Sequence, residues 1–397
     1  MEKQFSNFYQ RLESVSEKSI RPLIHFLDEP NRMVGIKGAR GVGKTTLLLQ
    51  YAKRSLPLDH QTLYISLDDP WFLHHQLENL VDDFVKYGGN TLLLDEVHLY
   101  PGWSASLKYL YDQYSNLRII FTGSSVLHID ASTADLSRRA IFRTLYGLSF
   151  REYLNWEYGF SLDKIPLEIL LKDHIQIAGK INNQVKPLKA FQEYLQIGYY
   201  PYYKENPDTY SEKLKETSRI AIESDLRAYY DLGSDMVLNL LKLLSILADT
   251  VPFTPNITKL SQRVGTSRNT LTELLRYLEQ AQLIHRLYRK AEGITRLQKP
   301  DKLYLDNPNL MFAHTWSDAD TGALRETFFV NQVRPVYPIQ VASQSDFIVN
   351  YKNTIEIGGK NKTAKQLQGK ENAFIAADGI EYGFGNKIPL WLFGFLY

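Results

Sequence analysis

Apolar positions in the first third of this chain follow two alternating rhythms. Short apolar runs at 33–36, 62–67, 91–94, 117–122 and 141–146, bounded by Gly, Asn and Asp, read as strands buried on both faces. Between them lie stretches of helical spacing, such as Thr46-Leu47-Leu48-Leu49-Gln50-Tyr51-Ala52. Strand and helix in alternation build right-handed crossovers, so the expectation is an α/β fold with a doubly wound parallel sheet. Ser149 and Glu152 have the spacing of a capping box that opens a new helix, which closes the first domain near residue 150.

The rhythm then changes. Residues 151–235 read as a helical, aromatic-rich connecting region. Its most unusual run, Gly198-Tyr199-Tyr200-Pro201-Tyr202-Tyr203, suits either a stacking platform for bases or a packed turn. From 236 to 305 the pattern is that of a winged helix-turn-helix. One helix, capped by Ser234, carries Val237, Leu240, Leu241, Leu244 and Ala248. A second opens at Asn256 with Ile257, Leu260 and Val264; Gly265-Thr266 make the turn; Ser267 caps a third, whose stripe is Leu271, Leu274, Leu275 and Leu278. Residues 283–290 and 302–305 alternate like the two strands of a wing. Residues 306–397 return to a mixed α/β pattern.

Chemistry enters at the end of the first strand. Gly38-Ala39-Arg40-Gly41-Val42-Gly43-Lys44-Thr45 satisfies G-x-x-x-x-G-K-[ST] between an apolar strand and a helix. The glycines permit backbone conformations that turn successive N–H groups toward phosphates, Lys44 reaches the β- and γ-phosphates, Thr45 offers its hydroxyl to Mg²⁺, and Thr46 continues the helix N-terminus. The chain is therefore expected to bind a nucleoside triphosphate. The run Thr91-Leu92-Leu93-Leu94-Asp95-Glu96 ends an apolar strand in two carboxylates, Asp95 to hold Mg²⁺ and Glu96 to polarise the attacking water. Thr122 and Ser124 end the next strand beside them, where they would orient water or meet the γ-phosphate; Ser125 is either a sensor or a helix cap. Arg138, Arg139 and Arg143 follow, with Arg139 preferred as an arginine finger because a guanidinium grips phosphate with two charge-assisted bonds.

The order of these motifs resembles the AAA-like branch of P-loop ATPases of bacteria and archaea, in a group with a winged-helix segment and a C-terminal extension of undefined function. The matching residues are 38–45, Leu93-Leu94-Asp95-Glu96-Val97-His98, Phe121-Thr122-Gly123-Ser124-Ser125, and the arginine segment leading to Tyr146-Gly147-Leu148-Ser149-Phe150-Arg151-Glu152-Tyr153-Leu154. The resemblance implies ATP rather than another nucleotide, and no guanine-reading N-K-x-D motif opposes it. It also implies that the acid-bearing strand lies between the phosphate-loop strand and the strand after it in space.

In the last quarter, a helix at 322–333 carries Glu326, Asp346 opens one strand and Glu356 lies inside the next. This succession resembles the restriction-endonuclease-like core, whose carboxylates gather Mg²⁺ to make a nucleophile from water. Where that family places a lysine two residues after the second-strand acid, this chain has Gly358, and Lys360 is the nearest substitute. Glu326, Asp346, Glu356 and Lys360 thus form a candidate second metal site, while a degenerate fold retained for binding or packing is the default reading.

Composition narrows the reading in three ways. Of 397 residues none is cysteine, which excludes disulfide scaffolds, thiolate zinc sites and cysteine nucleophiles and suits a reducing cytoplasm. No apolar run has the length to span a bilayer and residues 1–6 lack a signal-peptide core, so a soluble cytoplasmic protein without membrane partners is expected. The total charge is only +2, yet residues 251 to 302 hold ten Lys and Arg against four acids, a local net of +6. Lys259, Arg263, Arg268, Asn269 and Arg276 are the candidate contacts to duplex DNA, the last three on the exposed face of the third helix. The expected activity is Mg²⁺-dependent ATP hydrolysis that moves the winged helix and C-terminal module, with DNA as a candidate partner. Two alternatives stand beside it: a nucleotide-dependent switch that binds a protein partner with little turnover, and an ATP-regulated nuclease.

Overall fold

In the computed structural model, residues 1–124, 136–250, 255–289, 299–314, 320–363 and 371–397 are described. Ser125, named above, and residue 290, the end of the first wing segment, lie outside them. The described chain divides into two compact units. The first comprises Met1–Gly147 and Glu223–Leu232, the second Leu148–Ile222 and Gly233–Tyr397.

The first unit is built on five strands, β1 (Met33–Gly38), β2 (Thr62–Ser66), β3 (Thr91–Asp95), β4 (Arg118–Ser124) and β5 (Ile141–Thr144), in the order β2-β3-β4-β1-β5. Every pairing is parallel. Parallel pairing with intervening helices buries both faces, and Val34, Leu63, Leu92, Leu93, Leu94 and Ile119 are all fully buried. The helices are α1 (Glu2–Ser14), α2 (Lys44–Ser55), α3 (Leu77–Lys86) and α4 (Trp103–Gln113). Leu77, Leu80, Val81 and Phe84 of α3 and Leu107 and Leu110 of α4 enter one core with the sheet.

The strand order corrects one expectation. The acid-bearing β3 is not a neighbour of the phosphate-loop strand β1; β4 runs between them. Parallel register brings the carboxyl ends of these strands to one edge: Gly38 lies beside Ser124, and Asp95 beside Ser66. That edge is where an open parallel sheet receives its ligand.

The second unit opens with α5 (Phe150–Tyr158), whose Ser149–Glu152 capping box is formed in full. Helices α6 (Leu167–Asn182), α7 (Pro187–Ile197) and α8 (Tyr210–Ile220) follow. The run Gly198–Tyr203 is a packed turn: Tyr199, Tyr200 and Tyr203 are buried, and the Asn307 and Asn309 amides bond Tyr200 and the Tyr199 main chain. Then come α9 (Ser234–Ala248), α10 (Ile257–Val264), α11 (Arg268–Gln280) and the antiparallel ribbon of β6 (Ile284–Leu287) and β7 (Lys302–Leu305). Asn256 and Ser267 cap their helices by accepting from Lys259 and Thr270 main-chain N–H groups, and Gly265 takes the left-handed turn. Ser234 does not cap α9; Gly233 holds that place without a side-chain bond.

Helices α12 (Pro308–His314) and α13 (Thr321–Val333) lead to a mixed sheet of β8 (Ile339–Val341), β9 (Phe347–Val349), β10 (Asn353–Gly358), β11 (Ala373–Ala377) and β12 (Lys387–Pro389). Strands β8, β9 and β10 pair antiparallel, β10, β11 and β12 parallel. No described helix is long and apolar enough to cross a membrane.

Candidate nucleotide-binding site

The loop after β1 can close only with glycine at three places. Gly41 and Gly43 stand at φ 85° and 96°, in the left-handed region, and a Cβ on Gly38 would come within 2.2 Å of the Leu145 carbonyl oxygen. Gly43 precedes the first turn of α2 and gives it no side-chain cap, so that helix end presents main-chain N–H groups. The loop curls around Lys44, which is 5% exposed and donates to the carbonyls of Gly38 at 3.0 Å and Ala39 at 3.1 Å. A buried ammonium held by two neutral carbonyls suits a cradle made for anions.

Arg21 braces the loop from behind by donating to the carbonyls of Val42, Tyr146 and Gly147 at 3.3, 2.9 and 3.1 Å. Nothing in its sequence surroundings marks it.

Asp95, 2% exposed, lies at the end of β3. One carboxylate oxygen accepts from the Thr45 hydroxyl at 2.6 Å and the Tyr64 phenol at 2.8 Å, and the other from Thr122. Burial first, and the Asp95 charge second, push the Tyr64 phenol far above its ordinary range, so it remains a donor. Tyr64 escapes sequence reading because it looks like one more apolar strand residue. The oxygens of Thr45 and Asp95 are the hard ligands that Mg²⁺ prefers, and they already converge. The residues present therefore fit a triphosphate with its cation.

Glu96 breaks from the strand with φ 52°, an uncommon conformation for a residue with a side chain. Its N–H donates to Thr122 Oγ1 at 3.2 Å, which couples it to the hydroxyl that Asp95 holds. Its carboxylate lies 3.3 Å from His98 Nδ1, and that nitrogen also meets the Ser124 N–H at 3.3 Å. Thr122 and Ser124 thus stand beside the acids, as their place in the sequence suggests.

The arginines do not converge there. Arg139 grips Asp112 of α4 with two bonds of 2.8 Å, which hold that carboxyl below its usual range. Arg143 stacks on Phe26, 3.9 Å from ring centre to guanidinium carbon, and Arg138 is exposed.

The carboxylates of the last quarter meet lysines. Lys302 lies 2.9 Å from Glu326 and 3.7 Å from Asp346, and Lys362 lies 2.6 Å from Glu356. The lysine at Glu356 is thus Lys362 rather than Lys360, because Gly358 lacks the Cβ that would meet the Lys362 stem at 2.7 Å. Among the described residues no three His, Asp or Glu side chains gather to hold a metal.

In the second unit, Lys259, Arg263, Arg268, Asn269 and Arg276 are all exposed. Arg268, Asn269 and Lys299 line a cleft of about 690 Å³ together with Asn256, Thr258, Thr272 and Glu273.

Residues 30–154 match the family model described as an AAA domain, and residues 188–320 match one described as a domain of unknown function (DUF8612). An uncharacterized protein of Methanocaldococcus jannaschii is 27% identical over 70% of this chain and 61% of its own length. Another from Haemophilus influenzae is 25% identical over 68% of this chain and 65% of its own length, so the match spans less than two thirds of either relative. Among solved structures, the Holliday junction branch migration motor RuvB of Thermotoga maritima overlaps 71% of this chain and 89% of its own at 15% identity and a TM-score of 0.31. The Aeropyrum pernix ORC1 protein in complex with DNA overlaps 81% and 91% at 12% identity and 0.32. Overlaps this loose carry no functional inference for the present chain. The family match rests on sequence, and the phosphate loop, Asp95 and the five-stranded parallel sheet all fall inside it. Residues 30–154 of this chain are an AAA domain, built as a P-loop NTPase.

Proposed function

We propose that this protein is a Mg²⁺-dependent ATPase whose hydrolysis drives conformational change in its C-terminal half. The carrying observation is the convergence of Lys44, Thr45, Asp95 and Glu96 at one sheet edge. Lys44 would exchange its two carbonyl partners for β- and γ-phosphate oxygens, a charge-assisted pairing stronger than the one it leaves. Thr45 and Asp95 would hold Mg²⁺, which supplies neutralisation of charge developing on the phosphates. Glu96 accepts the proton of a water whose oxygen attacks the γ-phosphorus; the bond to the β-phosphate oxygen breaks, and that oxygen leaves with the electron pair as ADP. Thr122 and Ser124 keep Glu96 and that water in register. Arg139 is committed to Asp112 and is given no part in the chemistry.

The test is nucleotide binding by Lys44→Ala. Loss of one buried cation with two phosphate contacts is expected to weaken ATP binding at least about tenfold; unchanged affinity would contradict the assignment.

Duplex DNA is the proposed partner of the second unit. It would be met by the exposed face of α11 through Arg268, Asn269 and Arg276, with Lys259 and Arg263 toward the phosphate backbone. The local excess of positive charge supports this reading. Lysines at Glu326, Asp346 and Glu356 favour packing over nuclease chemistry in the last quarter, since each acid already has its counter-charge.

A further inference from the structure

Residues 223–232 lie far along the chain from the AAA domain, yet they belong to its unit and are joined at both ends to the other. The segment enters through a π-helical turn, Ala221–Leu226, whose i→i+5 bonding is rare and frequent at functional sites. Tyr229 anchors it on the core formed by the sheet and its helices. Ala221, Ile222 and Leu226 of the turn are buried apolar residues, and the one charged side chain buried with them is Asp225, 2% exposed.

Asp225 Oδ1 faces Arg40 Nη2 of the phosphate loop and His98 Nε2, each at 3.6 Å. The opposite ring nitrogen of His98 faces Glu96 at 3.3 Å. The imidazole therefore lies between two carboxylates, one edge turned to each, and the ring itself is buried. Arg40 Nε, His98 Nε2 and Asp225 Oδ1 are all buried without a hydrogen-bond partner. Buried polar atoms normally find one. Of these, His98 Nε2 and Asp225 Oδ1 face one another at 3.6 Å, just beyond bonding distance, so this pair tightens with a small shift. Burial works to push the Asp225 carboxyl up, but the adjoining His98 imidazole, the Arg40 guanidinium and Ser124 outweigh it and hold the group below the usual carboxylate range.

We infer that Asp225 is a positioning residue of the ATPase centre, which orients Glu96 through His98, with Arg40 of the phosphate loop as its counter-charge. The inference rests on the ATPase reading and adds to it a residue from outside the stretch matched as an AAA domain. An orienting partner behind a catalytic base fixes its rotamer without touching substrate, as second-shell carboxylates do for histidine ligands. The consequence is that hydrolysis depends on a segment whose two ends continue into the C-terminal unit.

The experiment is steady-state ATP turnover, KM and melting temperature for the wild type, Asp225→Asn, Glu96→Gln and their double variant, on the full chain. Asp225→Asn is expected to lower kcat about tenfold or more, as loss of a base's orientation does, with KM for ATP and melting temperature nearly unchanged. Because Asp225 acts through Glu96, adding Asp225→Asn to Glu96→Gln should cost no further activity. His98→Asn, which removes the ring between them, should reproduce the kcat loss if Asp225→Asn fails to fold. Wild-type kcat in a folded Asp225→Asn, or independent multiplicative losses in the double variant, would overturn the inference while leaving the ATPase reading intact. Absence of turnover in the wild type would remove both.

Discussion

At single positions the site is held by contacts of unlike visibility. Gly38, Gly41, Gly43, Lys44 and Thr45 are legible because a loop that wraps phosphate tolerates few alternatives, and the motif writes those restrictions directly into residue types. Gly38 shows how strict they are. Gly38→Ala would place a methyl 2.2 Å from the Leu145 carbonyl, and backbone cannot withdraw as a flexible side chain can. The variant is expected to lose about 1–3 kcal/mol of stability and most of its ATP affinity, measured by chemical unfolding and nucleotide titration; wild-type values in both would show that β1 and Leu145 are free to part. Tyr64, Arg21 and Asp225 were not legible, because each reaches the site across the fold rather than along the chain; His98 stands in the motif run two residues after Glu96, and only its place between two carboxylates comes from the fold. Arg139 illustrates the converse. Its place in sequence suits a finger, but a nearer carboxylate, Asp112, takes both arms of its fork.

Among elements, periodicity located β1 to β4 and the helices between them, since strands buried on both faces leave uninterrupted apolar runs; β5 is a strand too, but it lies at the sheet edge with Ile141 38% exposed rather than buried on both faces. The capping signals of Asn256, Ser267 and Ser149 also hold, because a cap is a local bargain between one side chain and the next turn. What periodicity cannot carry is order within a sheet, so the place of β4 between β1 and β3 comes only from the fold. The π-helical turn before residue 227 is equally silent in sequence. Helix α12 supports a separate prediction. Burial first, and the Lys215 charge second, depress the imidazole of His314 at its end to about 4, against an ordinary 6.5. Below pH 6.5 the unfolded chain binds a proton that the folded one refuses, so stability falls as pH drops from 6.5 toward 4, by up to about 3 kcal/mol. Buried Asp306, raised to about 6, works in the opposite sense, since its folded form keeps the proton between 3.8 and 6. The difference in unfolding free energy between wild type and His314→Asn isolates the histidine: the gap in slope should appear below pH 6.5. Parallel slopes would mean that His314 titrates normally.

For the whole molecule, the sequence divides into an AAA domain and a helix-rich remainder with one basic stretch at 251–302, and the structure adds that residues 223–232 cross from one unit into the other. That crossing was invisible to pattern because nothing local distinguishes a helix that stays from one that returns. If duplex DNA engages α11, its stimulation of turnover should fade steeply as salt rises from about 50 to about 200 mM, since counterion release sets the affinity. Salt-independent turnover in the presence of DNA would turn the reading toward a protein partner. Underneath all of this stands the claim that Glu96 activates water over a bound triphosphate. The most direct measurement is ATP hydrolysis by Glu96→Gln alongside the nucleotide it retains: the account predicts ATP still bound and turnover down about 10²- to 10⁴-fold, whereas turnover at the wild-type rate would contradict it.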